Sequence, residues 1–275
     1  MAFSVNTNAG AFAALQNLNQ TSSELTTTQN RINTGLRVSS SKDDAATFAI
    51  AQTLRGEVAG LSAVSASLDR AQSTLDVAIA AGEAVSDLLI ELKEKAVAAK
   101  DSGLDTASRS SLNDDFEQLR DQITSIVQNA EFNGTNAVEN NGDAIVAITS
   151  DDGSNTITVA AQNLSLSGSN VALSASQDIS TQALASAAVT DIENSIANVN
   201  TSLSSLGSGA ARIELQKEFV NQLSDTIEVG IGNLVDADLA SESANLQALQ
   251  VRQQLGLQAL SIANQAPSTV LGLFR

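Results

Sequence analysis

From about Ala45 to Lys100 an apolar stripe recurs every seven residues without interruption: Leu54, Leu61, Leu68, Leu75, Gly82, Leu89 and Ala96, with Ile50, Glu57, Val64, Ala71, Ala78, Val85 and Leu92 between them. Alternating steps of four and three keep one narrow face of an α-helix apolar, as in a coiled-coil seam. Seven heptads without a proline predict a continuous helix roughly 80 Å long at 1.5 Å per residue. That is longer than a compact domain of this mass is usually wide. Such a helix draws most of its stability from packing, so it needs partners of comparable length.

The rest of the chain supplies them. Ala11, Leu15, Leu18, Ser22, Leu25, Gln29, Ile32 and Leu36 step by four and three along an N-terminal helix that Gly35 can break. Ser39-Ser40-Ser41-Lys42-Asp43-Asp44 then offers side-chain oxygens for the first free amides of the long helix. After Asp101-Ser102-Gly103, a third helix is marked by Leu112, Phe116, Leu119, Ile123 and Ile126 and ends before the turn pair Asn133-Gly134. A fourth runs through Ile192, Ile196, Val199, Leu203, Leu206, Ala210, Ile213, Val220, Ile227, Ile231 and Leu234, with Gly207 and Gly209 bending it without ending it. The last follows Asp236-Ala237-Asp238, carries Leu239, Leu246, Leu249, Leu260 and Ala263 on one stripe, and is expected to stop at Pro267. Two short terminal helices thus bracket three long inner ones.

Residues 140 to 175 have a different character. Ala144 to Thr149 and Thr156 to Val159 flank Asp151-Asp152-Gly153-Ser154-Asn155, and Leu164, Leu166, Val171 and Leu173 surround Gly168-Ser169-Asn170, which predicts a hairpin-rich insert. Asp143, Asp151 and Asp152 lack the ordered ligand spacing and terminal Glu of a calcium loop, so turn chemistry is the better account. The expected fold is mainly α, an elongated helical bundle with a small β-hairpin insert. Its segments are 1–44, a terminal helix and connecting loop; 45–135 and 181–235, a helical rod; 136–180, the insert; and 236–275, the other terminal helix.

Composition narrows the function. Histidine and cysteine are both absent, which removes Ser-His-Asp and Cys-His nucleophiles and the usual zinc sites. The acidic pairs Asp43/Asp44, Asp114/Asp115 and Asp151/Asp152 are sequence neighbours that diverge by about 100° on a helix, so they read as capping or solvated groups. Lys93, Lys95 and Lys100 stand beside Glu91 and Glu94 without aromatic residues between them, a pattern of surface ion pairing. No phosphate loop is present, no cofactor is expected, and the chain reads as no enzyme. No apolar run is long enough to cross a membrane, and Met1 to Asn6 lack the basic and apolar regions of a cleaved signal peptide.

The formal net charge of −17 argues against nucleic acid or an anionic membrane as partner. Its distribution says more: residues 1–42 carry +2 and residues 230–275 carry −1, which leaves −18 in the middle. The ends can pack together at high density while the middle repels its copies and stays solvated. Terminal helices with narrow seams and little charge bury only part of their surface against each other, and the remainder invites neighbouring subunits. Head-to-tail contacts of that kind that fail to close a ring give a helical filament.

The same residues carry a family resemblance. Asn6-Thr7-Asn8, Asn17-Leu18-Asn19 and the run from Arg31 through Gly35, Arg37, Ser39, Lys42, Asp43 and Asp44 to Ala46 are similar to the N-terminal signature of bacterial flagellins. Asp236-Ala237-Asp238-Leu239-Ala240-Ser241-Glu242, Asn264-Gln265-Ala266-Pro267 and Leu271-Gly272-Leu273-Phe274-Arg275 resemble the C-terminal one. The resemblance spans roughly residues 1–135 and 180–275. It implies that the terminal helices lie antiparallel in an inner domain. There Leu15, Leu18, Leu25, Ile32 and Leu36, with Leu239, Leu246, Leu249 and Leu260, serve core and inter-subunit contacts, and residues 31–44 form a signature loop.

It further implies a homopolymeric flagellar filament for swimming, shared in some cases with sister flagellins and assembled at its tip. The chain would be exported unfolded through the flagellar type III apparatus with a dedicated chaperone, and would meet filament cap and hook-filament junction proteins outside the cell. Ordering of the ends would then be coupled to association. Surface Ser and Thr of the insert would be candidate glycan sites. One position departs: an ungapped alignment of Ile90 to Val97 puts Glu91 where many flagellins carry the arginine read by the vertebrate Toll-like flagellin receptor, which implies weak activation. The competing readings are a hook-filament junction protein, an acidic coiled-coil scaffold and, least favoured, a carboxylate-only hydrolase.

Overall fold

The structure, a computed structural model, describes residues 7–272, with side chains described as far as Gln265. Its helices are α1 (Ala9–Thr34), α2 (Ala45–Ala99), α3 (Thr106–Asn129), α4 (Gln182–Val235) and α5 (Leu239–Gly272). Two antiparallel hairpins, β1 (Glu131–Phe132) with β2 (Thr135–Asn136) and β3 (Ile145–Ile148) with β4 (Thr156–Val159), interrupt them. Helices α2 and α4 have 55 and 54 residues, whereas α3 has only 24. The expected three long inner helices are therefore two long and one short, since the Asp101–Gly103 break and the Asn133-Gly134 turn leave no room for more.

Helix ends follow capping chemistry. Asn8 accepts from the Ala11 amide at 3.0 Å, Asp105 from Ser108 at 2.6 Å, and Gly35 closes α1 in the left-handed region at φ 72°. Arg109 donates to the carbonyls of Ala99 and Asp101 at the end of α2, at 3.0 and 2.8 Å. The expectation that the last helix stops at Pro267 is corrected: the backbone stays helical to Gly272. Proline withholds its own amide, but the amides after it remain free to bond across the gap.

The chain divides into two compact units, one of residues 57–225 and the other of 1–56 with 226–275. In the larger unit the seam of α2 is buried at every alternating step from Leu61 through Val64, Leu68, Ala71, Leu75, Ala78, Gly82, Val85, Leu89 and Leu92 to Ala99. Further back in the chain the predicted seam loses its cover: Leu54 is half-buried and Ile50 exposed. Along α4 the buried row is Ala185, Ala188, Ile192, Ser195, Val199, Ser202, Leu206, Gly209 and Ile213. Ile196, Leu203 and Ala210, expected on the seam, flank it half-buried. On α3, Val127 is buried where Ile126 was expected.

Small residues set the approach of neighbouring layers. A Cβ on Gly82 would meet Leu203 Cδ2 at 2.7 Å, and one on Gly209 would meet both Val159 methyls at 2.8 Å, so β4 lies directly on α4. Asn133 and Gly134, at φ 52° and 81°, make the two-residue turn joining β1 to β2. Asn136 fastens it, donating to Val127 O at 2.8 Å and accepting from the Val138 and Glu139 amides. The β3–β4 hairpin is as expected, but the region around Gly168-Ser169-Asn170 forms only an isolated Leu166–Val171 bridge. There Leu164, Val171 and Leu173 are drawn into the core, and the Ala172 amide bonds the Ser195 hydroxyl at 2.9 Å instead of a ladder.

Candidate functional site

The smaller unit contains most of the residues singled out in the sequence. Helices α1 and α5 run antiparallel along each other. Asn8 Nδ2 donates to Ala263 O at 2.6 Å, Leu18 packs on Gly256, Arg31 pairs with Glu242 at 3.0 Å, and the Ala237 amide donates to Gly35 O at 2.9 Å. The facing rows are Ala11, Ala14, Leu18, Thr21, Leu25, Thr28 and Ile32 on α1, and Glu242, Leu246, Leu249, Gln253, Gly256, Leu260 and Ala263 on α5.

This places the predicted stripes in detail. Leu18, Leu25, Ile32, Leu246, Leu249 and Leu260 lie in the seam, and Leu36 is half-buried in a bridge with Asp236. Leu15 is 43% and Leu239 49% exposed, and Ser22 and Gln29 face solvent. One row on α1 is therefore displaced by a residue from its expected register, because Ala14, Thr21 and Thr28 fill it in place of Leu15, Ser22 and Gln29.

The signature loop is held by its own side chains. Asp43 Oδ2 accepts from the amides of Ser39 and Ser40 at 3.0 and 2.9 Å and from both hydroxyls. The Ser39 hydroxyl above all, then the two amides, holds the Asp43 carboxyl below the usual carboxylate range. Asp44 caps α2, accepting from the Ala46 and Thr47 amides and the Thr47 hydroxyl, and the last of these chiefly lowers its pKa. Arg37 donates to Leu234 O at 2.8 Å and its amide to Val235 O at 2.7 Å, so the loop is laced to the α4–α5 junction. Lys42 is exposed. Asp238 caps α5, with its carboxyl held low by the Ser241 hydroxyl and amide. The Arg31–Glu242 pair joins positions 211 residues apart, with the Glu242 side chain only 12% exposed.

Sequence reasoning missed a second stripe. Ala244, Ala248, Val251, Leu255 and Ile262 lie on the side of α5 opposite its seam, all exposed, Leu255 at 57%. A helical wheel drawn for this segment would have revealed it. The opposite side of α1 shows Phe12, 65% exposed, followed by Gln16, Asn19, Ser23, Thr27 and Asn30. Among the described residues, nine of the sixteen exposed large apolar side chains fall in this unit, although it is the smaller one, so the apolar surface left over is concentrated here. It is also nearly neutral: seven acidic and six basic residues give −1, against twenty-four and eight, or −16, in residues 57–225.

In the larger unit Glu91 is exposed on α2, Lys93 pairs with Glu193 at 2.9 Å, and Lys95 pairs with Asp115 at 2.8 Å. These lysines thus reach other helices and not Glu91 or Glu94. Asp152 ties the turn between β3 and β4 through Ser150 and Ser154, which lowers its pKa to about 2. Among the described residues no group of three acidic side chains converges as metal ligands would.

Comparison with known proteins matches residues 5–143 to the family described as the bacterial flagellin N-terminal helical region, and residues 189–274 to the bacterial flagellin C-terminal helical region. The chain is 47% identical to Flagellin FljK of Caulobacter vibrioides over 272 residues, 99% of this chain and 98% of that one. It is 32% identical to Flagellin C of Rhizobium meliloti over 321 residues, 99% of each. A solved structure of a putative flagellar hook-associated protein from Vibrio parahaemolyticus superposes with a TM-score of 0.58 at 15% identity, over 70% of this chain and 100% of that one. That likeness concerns the fold alone.

Proposed function

Since this chain belongs to the bacterial flagellin family, a family of structural filament subunits and not of enzymes, we propose that its smaller unit carries the assembly surface. The observation behind this reading is the bifacial α5. One side is satisfied by α1, and the other offers Val251, Leu255 and Ile262, which are exposed among the described residues. Self-polymerisation into the flagellar filament follows from the family, and the exposed stripe supplies the apolar area that a contact between copies requires.

In this reading Leu18, Leu25, Ile32, Leu246, Leu249 and Leu260 act as the internal core of the terminal pair, while Leu15, Leu239 and the outer stripe of α5 meet neighbouring subunits. The loop from Arg31 to Asp44 fixes where the terminal pair departs from the long helices. The segments 1–44 and 236–275 form the inner part of the filament, 45–135 and 181–235 the surrounding rod, and 136–180 the outer insert. Export of an unfolded chain through the flagellar apparatus, a chaperone on the C-terminal segment, cap and junction partners at the ends and an extracellular location complete the proposal. Glu91, exposed on α2, puts a carboxylate where the family's receptor-read arginine would stand, which argues against strong immune recognition.

Seeded growth tests the assembly surface. Short filament seeds are expected to elongate with the purified chain, and Leu255→Lys to raise the critical concentration sharply. Each contact would lose about 1–2 kcal/mol of apolar burial and gain a desolvated charge. Elongation of Leu255→Lys at the parent concentration would remove the outer stripe from the interface.

A further inference from the structure

A cleft of about 270 Å³ opens between α2 and the hairpins, lined by Ser67, Arg70 and Thr74 on one side and by Phe132, Asn133 and Val146 on the other. Arg70 brings a fixed positive charge to it, and among the described residues no carboxylate stands within ion-pair distance of that guanidinium. Asn133, on the opposite wall, is exposed and immediately precedes a glycine.

An Asn-Gly step can modify itself. The glycine amide nitrogen attacks the Asn side-chain carbonyl carbon, a new C–N bond forms, and the carboxamide nitrogen leaves as ammonia with the proton from the glycine N–H. The resulting succinimide adds water at either carbonyl and opens to aspartate or to the β-linked isoaspartate. No electrons are transferred, and water is the only co-reactant. Glycine favours the attack because no Cβ obstructs the ring closure.

The chain has two such steps, and the structure treats them differently. At Asn133-Gly134 the glycine amide has no acceptor among the described residues, and nothing lies within 4 Å of where a Cβ would stand, so the amide nitrogen is uncommitted and the space around it is open. At Asn141-Gly142 the amide donates to Glu139 O at 3.1 Å, and a Cβ would come within 2.6 Å of Asn136 O, so that backbone is committed and packed.

We propose that Asn133 is a site of spontaneous deamidation, and that the carboxylate so produced becomes the counterion that Arg70 otherwise lacks. This rests on the cleft and the turn, independently of how the chain assembles.

Full-length protein aged at mildly alkaline pH, then cut after Glu131 and Glu139, separates the two steps into peptides 132–139 and 140–193 for fragmentation that distinguishes aspartate from isoaspartate. Position 133 is expected to convert several times faster than 141. Equal rates, a faster 141, or an intact Asn133 under conditions that convert the free 132–139 peptide would overturn the assignment. In Asn133→Asp the introduced carboxyl is expected to titrate below its ordinary value, and Arg70→Gln to restore it. A titration unaffected by Arg70→Gln would remove the pairing.

Discussion

Ser195 illustrates how a polar residue holds a seam position. It is fully buried on α4, its hydroxyl donates to Asp191 O at 2.6 Å within the helix, and the same oxygen accepts from the Ala172 amide at 2.9 Å. Ser195→Ala would keep the volume but remove the acceptor of the Ala172 amide, a part-buried hydrogen bond whose loss costs about 0.5–1.5 kcal/mol. Denaturant unfolding is expected to show a loss of that size, while Ser208→Ala, on the exposed side of α4, stays near zero. Equal effects would mean that the Ala172 bond contributes nothing. The capping carboxylates respond to acid. Asp43, Asp44, Asp238 and Asp152 all titrate lower in the folded chain than their ordinary value of 3.8. Unfolding raises each back towards that value, so the stability they contribute is complete above it and is lost as pH falls through the lowered folded values. For Asp152 that window runs from 3.8 down to about 2. A carboxyl NMR titration is expected to place its midpoint at the lower end, and a midpoint at the ordinary value would mean that the Ser150 and Ser154 bonds are absent in solution.

Among the elements, the terminal pair is the one whose register can be tested directly, because the chain has no native cysteine to interfere. Leu18 Cβ lies 4.0 Å from the position a Cβ would take on Gly256, within the separation a disulfide spans. Leu18→Cys with Gly256→Cys is expected to oxidise within one chain, seen as a band of unchanged chain length that shifts on reduction. Interchain ladders from that pair would instead place the partner of α1 on another copy. The register also shows what a sequence reveals. Leu61 to Ala96 was legible because both rows of the α2 seam are apolar or small. On α4 and α1 the second row holds Ser195, Ser202, Thr21 and Thr28, whose polarity conceals them. Ser195, Ser202 and Thr21 return their hydroxyls to carbonyls four residues earlier, at Asp191, Asn198 and Asn17, so the rest of the side chain can face a partner helix. Asp44 was readable as a cap from local chemistry, and the turn at Asn133-Gly134 likewise. The Arg31–Glu242 pair was not, since nothing local links positions so far apart, and Pro267 misled because one absent amide need not end a helix.

For the whole molecule, the division of charge and apolar surface between the units sets the behaviour of the polymer. A unit of −1 that holds most of the exposed large apolar side chains among the described residues can be brought to high density, whereas a unit of −16 repels its copies. The repulsion is between exposed charges and is screened over a Debye length of about 10 Å at 0.1 M salt, while the apolar contacts are not weakened by it. Elongation of seeds is therefore expected to accelerate from low to moderate salt. Removing residues 236–275 takes away α5 with both of its faces and leaves α1 without its partner, but it leaves untouched the buried seams of α2 and α4 in residues 57–225. The truncated chain is expected to remain soluble, to keep a cooperative helical melt from that core, and to elongate no seeds at any salt concentration. Elongation by the truncated chain would relocate the assembly surface to the larger unit. Loss of its cooperative melt would show that the long helices depend on the terminal pair for their stability. Slower growth of the intact chain in moderate salt would mean that attraction between opposite charges, and not apolar burial against a repulsive background, drives the copies together.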